Sequence, residues 1–174
     1  ASRNGKNVTV VIELQARFDE EANIAWTRKL EEHDVRIISG VPGLKVHAKL
    51  FLISRREGDK LVHYANVGTG NFNESTARIY CDHSLITADK RITGEVNKVF
   101  KFLKNNYKTY AYRHLVVSPF FMRNRFYKLI ENEINNAKAG KDAYICVKLN
   151  SLVDKAYINV LYAASQAGVK VKMI

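Results

Sequence analysis

The sequence predicts an α/β protein built in two consecutive parts, and three observations predict it. Short apolar runs rich in Val and Ile recur along the chain. Stretches with apolar residues at helical spacing alternate with them. The pattern then resets around "NNYKTYAYRH", which places a boundary near residues 108–113. A length of 174 residues with 47% hydrophobic content suits one sizeable globular domain or two small ones.

In the first part, residues 8–14, "VTVVIEL", read as a buried strand. Residues 19–32 read as a helix whose opening acids suit the positive end of the helix dipole. Residues 35–39 form a short strand. Strands at 46–54 and 61–67 flank "RREGDK", where Gly58 and Asp59 mark a hairpin turn. The Gly/Asn-rich "GTGNFNESTARIY" follows as a loop, then a short strand at 84–87. Residues 91–105 carry Ile92, Val96, Val99, Phe100 and Leu103 at helical spacing.

In the second part, residues 115–118 read as a strand ending at Pro119. Met122, Phe126, Leu129, Ile130, Ile134 and Ala137 mark one face of a helix closed by Gly140. A strand at 144–149, a helix at 152–166 and a strand at 169–174 complete a β-α-β-α-β order. That order predicts a right-handed, mainly parallel sheet.

The formal net charge is +11, from 28 Lys and Arg against 17 Asp and Glu. It favours a polyanionic partner: nucleic acid, anionic lipid or a phosphate polymer. No apolar run is long enough to span a bilayer, and the opening "ASRNGKN" lacks the apolar core of a signal peptide. Cys81 and Cys146 lie far apart without metal-type spacing, which reads as reduced thiols in a cytoplasmic protein. The first residue is not Met and the last strand stops without a turn, so a fragment of a longer protein is expected.

The chemistry-bearing stretch is "GVPGLKVHAKLFLISRR", residues 40–56. Strand residues two apart share a face, so His47 and Lys49 are expected to project together. The hairpin returns the chain to that end of the sheet, where "GTGN" begins at Gly68. Glycines admit backbone N–H groups close to an anion, and Asn71 adds a side-chain donor. His47, Lys49, Gly68, Gly70 and Asn71 thus converge as a candidate phosphate pocket. The loop also reads as a broken dinucleotide fingerprint, but it lacks the third glycine and an immediate helix start. A plain Gly-rich connection and a solvated lysine are the bland alternatives.

H-x-K, a strand, then G-[ST]-x-N resembles the signature of the phospholipase D superfamily. Ser54 stands seven residues after His47, where hydrolytic members carry an acid. The blocks "VIELQARFDEEANI", "GLKVHAKLFLI", "GTGNFNESTARIYCDHSLITAD", "SPFFMRNRF" and "KLNSLVDKAYINVLYAASQAGVKV" more closely resemble bacterial polyphosphate kinases, over nearly the whole chain. This resemblance implies a phospholipase D-like mixed β-sheet with flanking helices over residues 1–113. It also implies the start of a second, similar α/β domain over 114–174. The whole enzyme would be several times longer, with separate N-terminal domains.

The resemblance implies reversible transfer of the ATP γ-phosphate to inorganic polyphosphate, with His47 as the phosphorylated nucleophile. Lys49 would bind a phosphate oxygen, and Asn71 with the Gly68 and Gly70 backbone would hold the phosphoryl group. Arg17 would belong to a magnesium–phosphate site, touching Mg²⁺ only through phosphate oxygens because a guanidinium cannot coordinate a cation. Tyr80 would contact the nucleotide. Glu74 and Arg78 lie near the loop without a role. His33, His63, His83 and His114 are read as unrelated residues, and none opens a second H-x-K.

The implied partners are ATP or ADP, polyphosphate, the missing domains and, at full length, further copies of the chain. Nucleic acid is not expected. The implied location is cytoplasmic, open to peripheral contact at the inner membrane. A second catalytic histidine would lie beyond residue 174, so the chain alone is not expected to sustain synthesis. The competing readings are a phospholipase D-like phosphodiesterase or nuclease working as a homodimer, and a non-catalytic polyanion-binding module.

Overall fold

The computed structural model describes residues 1–13 and 20–174. It divides into two compact units, Ala1–Leu115 and Val116–Ile174. In the first, β1 (Thr9–Ile12) pairs in parallel with β2 (Arg36–Ser39), Val10 opposite Ile37. α1 (Glu20–Glu31) lies between them in sequence and packs against β2. Its first turn holds Glu20 and Glu21 and its last Arg28 and Lys29, the charge order a helix dipole favours.

β3 (Lys49–Glu57) and β4 (Lys60–Gly68) form the hairpin, and β5 (Ser84–Thr87) pairs antiparallel with β4. Gly58 turns the hairpin at φ +59°, a conformation that glycine adopts without strain. β3 starts later than the apolar pattern suggests, because the Val46 N–H donates to Glu13 Oε2 at 3.2 Å instead of joining the ladder. Within the expected loop, Asn73 accepts the N–H groups of Ser75 and Thr76 and starts a short helix, α2 (Glu74–Ala77). α3 (Lys90–Lys104) packs on β3 and β4, burying Thr93, Val96, Val99 and Phe102 at a three-residue spacing.

The second unit runs α4 (Met122–Lys138), β6 (Tyr144–Val147), α5 (Lys155–Gln166) and β7 (Lys170–Met173). β6 and β7 pair in parallel, Ile145 opposite Val171. Ile130, Ala143, Leu161, Ala164 and Val169 form its core.

The strand expected at 115–118 is not formed, so this unit is α-β-α-β rather than β-α-β-α-β. The reason lies on α3. The buried Glu95 carboxylate accepts the N–H groups of Arg113 at 2.7 Å, His114 at 3.0 Å and Leu115 at 2.7 Å. Leu115, where the expected strand would begin, therefore has its donor spent on a side chain rather than on a ladder. Among the described residues, no helix is long and apolar enough to cross a membrane.

Candidate functional site

The hairpin register sets the site. Lys49 is the partner of Gly68, so the segment entering β3 and the loop leaving β4 occupy the same end of the sheet. His47 lies just upstream of β3 and is exposed, while Lys49 is half-buried. Lys49 Nζ donates to the His47 carbonyl oxygen at 2.6 Å. Burial pushes the Lys49 pKa down, and the Asp82 carboxylate opposes that shift. The result is a partly desolvated ammonium seated on the backbone of an exposed histidine.

The loop after Gly68 is tied to the lead-in of β5. The Thr69 N–H donates to the His83 carbonyl at 3.0 Å, and the His83 N–H returns to Thr69 Oγ1 at 2.9 Å. Thr69 Oγ1 also donates to Asp82 Oδ1 at 3.0 Å. Gly70 explains itself here. A Cβ at this position would stand 2.0 Å from Asp82 Oδ2, so the carboxylate occupies the space a side chain would need. Gly68 is also confined, with Asn66 Oδ1 3.3 Å and the Lys49 carbonyl 3.5 Å from where its Cβ would lie. Close approach, not positive φ, requires glycine at position 70, while at position 68 a Cβ would fit only where the Asn66 carboxamide gave by a few tenths of an ångström.

These residues border a cleft of about 190 Å³ whose lining includes Asn66, Gly70, Asn71, Phe72, Asp82 and Ser84. The Phe72 ring approaches Phe51 of β3, with centroids 6.2 Å apart. Asn66 is buried, 3% exposed, and its Nδ2 donates to Ser84 Oγ in a short hydrogen bond.

Gly68, Gly70 and Asn71 line this one cleft, and the register brings Lys49 opposite Gly68. His47 stands exposed at the same sheet end. Tyr80 is 66% exposed just beyond α2, with its N–H on the Thr76 carbonyl, and it does not line the cleft. Arg17 lies outside the described residues. His83, expected to stand apart, is part of the cleft wall because β5 pairs beside the loop. Three histidines do lie elsewhere. His33 takes Arg3, His63 meets Ser54 Oγ at 2.8 Å across the hairpin, and the His114 N–H goes to Glu95.

Asp82 and Asn66 were not singled out from the sequence. An acid placed just before a strand that returns beside the G-T-G-N loop was the available signal for Asp82. Nothing in the spacing marked Asn66.

The second unit has a polar cluster of a different kind. Arg123 Nη1 pairs with Asp154 Oδ2 at 2.7 Å, and the guanidinium lies 5.7 Å from the Tyr127 and Tyr157 ring centroids. The two rings stack 4.7 Å apart. Asp154 also accepts the N–H groups of Ala156 and Tyr157, capping α5.

Comparison with known proteins adds the following. The family described as "Polyphosphate kinase C-terminal domain 1" matches residues 1–109, and "Polyphosphate kinase C-terminal domain 2" matches residues 115–174. The chain is 60% identical to a polyphosphate kinase of Vibrio parahaemolyticus over all 174 residues. It is 55% identical to one of Escherichia coli over the same span. In both cases it spans 25% of the relative's length. The crystal structure of the polyphosphate kinase from Porphyromonas gingivalis superimposes with a TM-score of 0.84 at 41% identity, covering 99% of this chain and 29% of that one.

Proposed function

Because the chain belongs to the polyphosphate kinase family, we propose that its first unit supplies the nucleophile and phosphate cradle for reversible phosphoryl transfer between ATP and inorganic polyphosphate. The observation that carries this reading is the register of Lys49 against Gly68, which places the His47 segment and the G-T-G-N loop at one sheet end.

In the forward half-reaction an imidazole nitrogen of His47 attacks the γ-phosphorus in line. The N–P bond forms as the bond to the ADP oxygen breaks. A terminal polyphosphate oxygen then attacks the same phosphorus, and the N–P bond breaks. Charge on the transferring group needs fixed positive groups and N–H donors rather than covalent help. Lys49 supplies the charge, and Asn71 with the Gly70 backbone supplies donors. Tyr80, exposed at the loop's far end, suits contact with the nucleotide.

A bound magnesium ion would neutralise charge on the phosphate oxygens, and Arg17 would act on it only through those oxygens, because a guanidinium cannot coordinate a cation. The cleft itself offers hard oxygen donors, the Asp82 carboxylate among them, and this donor chemistry fits the ion. A phosphodiesterase reading is disfavoured because Ser54, where hydrolytic relatives carry an acid, is engaged with His63 on the hairpin.

The test is rapid-quench labelling of the full-length enzyme with γ-labelled ATP. The expected product is an acid-labile, alkali-stable phosphoryl group on His47 that His47→Gln abolishes together with both reaction directions. Label retained in His47→Gln, placed by mass spectrometry on another histidine, would overturn the assignment.

A further inference from the structure

Among the described residues, one buried side-chain polar atom has no hydrogen-bond partner, the Oδ1 of Asn66. Buried polar atoms are nearly always satisfied, so an exception calls for an occupant. Asn66 is 3% exposed and lines the cleft, and its Oδ1 lies 3.3 Å from the position a Gly68 Cβ would take. The atom therefore faces the loop. Its other amide atom is committed to Ser84 Oγ.

The nearby groups decide what the occupant is. Asp82 shares the cleft, with Oδ1 held by Thr69 and Oδ2 against Gly70. A carbonyl-type oxygen and a carboxylate both accept, so an anion placed between them would be repelled. Lys49, whose charge the Asp82 carboxylate favours, has its ammonium on the His47 carbonyl. The wall thus asks for a cation or strong donor immediately beside a loop read as a phosphate cradle. Hard divalent cations bind in that setting, using one or two protein oxygens and completing their shell with phosphate oxygens and water.

We propose that Asn66 Oδ1 and the Asp82 carboxylate form the protein side of a seat for a divalent cation of the magnesium class, beside the Gly68 to Asn71 loop. The proposal rests on the reading of that loop as a phosphate site. Ser84 Oγ, bonded to Asn66, holds the carboxamide so that its oxygen faces inward.

The experiment uses Mn²⁺ as a paramagnetic probe on the 174-residue chain, with and without tripolyphosphate, read by amide NMR. Broadening is expected to centre on the Asn66 side chain, residues 68–71 and residues 82–84, and to strengthen with tripolyphosphate. Asn66→Asp adds a negative charge to the seat and should tighten Mn²⁺ about tenfold, since ligand charge sets affinity at such sites. Asn66→Leu and Asp82→Asn should remove the focused broadening, while Asn66→Ser, gentler on the fold, should weaken it. Native dispersion of first-unit signals away from the cleft, those of α1, β2 and α3, verifies folding in each variant.

Broadening centred elsewhere, or Asn66→Leu binding Mn²⁺ like the parent chain, would overturn the proposal. So would metal-free tripolyphosphate binding lost in Asn66→Asp, which would make the carboxamide a phosphate donor. The readout involves no turnover. Absent metal with intact His47 labelling rejects this seat alone, and focused metal without His47 labelling rejects the phosphotransfer reading alone.

Discussion

The Arg123–Asp154 cluster of the second unit and the His47 end of the first unit hold similar side chains in opposite states of completion. In the former, Asp154 serves two backbone N–H groups and the guanidinium, which also lies over two stacked rings. The Tyr157 hydroxyl donates to the Arg123 carbonyl at 2.7 Å. In the latter, His47 is exposed, and among the described residues Lys49 donates to a main-chain oxygen and Asn66 Oδ1 has no partner. Both carry charge and aromatic rings, so composition does not separate them. What separates them is satisfaction: a closed cluster braces helices, while an open one leaves atoms for a ligand.

The largest effects should come from closing or emptying the open site. In the full-length enzyme, Lys49→Ala should lower kcat by roughly 10²-fold, the usual effect of losing one transition-state contact. Gly70→Ala should do comparable damage, because its Cβ would displace the Asp82 carboxylate and break the Thr69 bond. Asp82→Gly in the Gly70→Ala background should restore the loop's fold by making room, since the Asp82 Cβ itself would stand 2.9 Å from the added Cβ. Steady-state kinetics and amide spectra check both. An active Gly70→Ala enzyme would show that the tight loop is packing only.

Next comes Glu95, a closed group inside the first unit. Glu95→Ala strands three N–H groups and should cost about 2 kcal/mol in urea unfolding, near the loss expected for hydrogen bonds to a charged group. Burial pushes the Glu95 pKa up, but the N–H donations from Arg113, Leu115 and His114 outweigh it and leave the pKa below the ordinary 4.5. A carboxyl lowered on folding stabilises the fold above its unfolded pKa. That contribution is lost as pH falls from about 4.5 through the lower folded value. The parent chain should lose stability in that window faster than Glu95→Gln.

Smaller again is the salt effect. If several phosphates are neutralised in the open site, polyphosphate affinity should fall steadily as salt rises, through counterion release. Titration at a series of ionic strengths reads this, and a flat response would point to a neutral ligand. The smallest effect is expected at the closed cluster. Asp154→Ala should lower the melting temperature slightly by uncapping α5 and leave polyphosphate binding unchanged.

The same contrast explains what the sequence disclosed. The hairpin was legible because Gly58-Asp59 is local turn chemistry, and α3 because its apolar positions repeat every few residues. The entry of His47 and Lys49 at the loop's end followed from hairpin geometry alone. The strand expected at 115–118 did not form; its first donor, Leu115, and the two residues before it go to Glu95, far away in sequence, and no local pattern reports that. Asp82, His83 and Asn66 were missed for a related reason. Their place at the cleft depends on the pairing of β5 with β4, a tertiary fact. α2 eluded the pattern because a four-residue helix set by the Asn73 cap has too few positions for periodicity.

The proposed function requires that the open end of the first unit, rather than the closed cluster of the second, receive the phosphate chain. Amide and side-chain NMR of the 174-residue chain titrated with short polyphosphate tests it most directly. The largest shifts are expected at His47, Lys49, Gly70 and Asn71, with Arg123, Asp154 and Tyr157 unmoved. Largest shifts at the Arg123 cluster, with residues 47–49 and 68–71 silent, would contradict it.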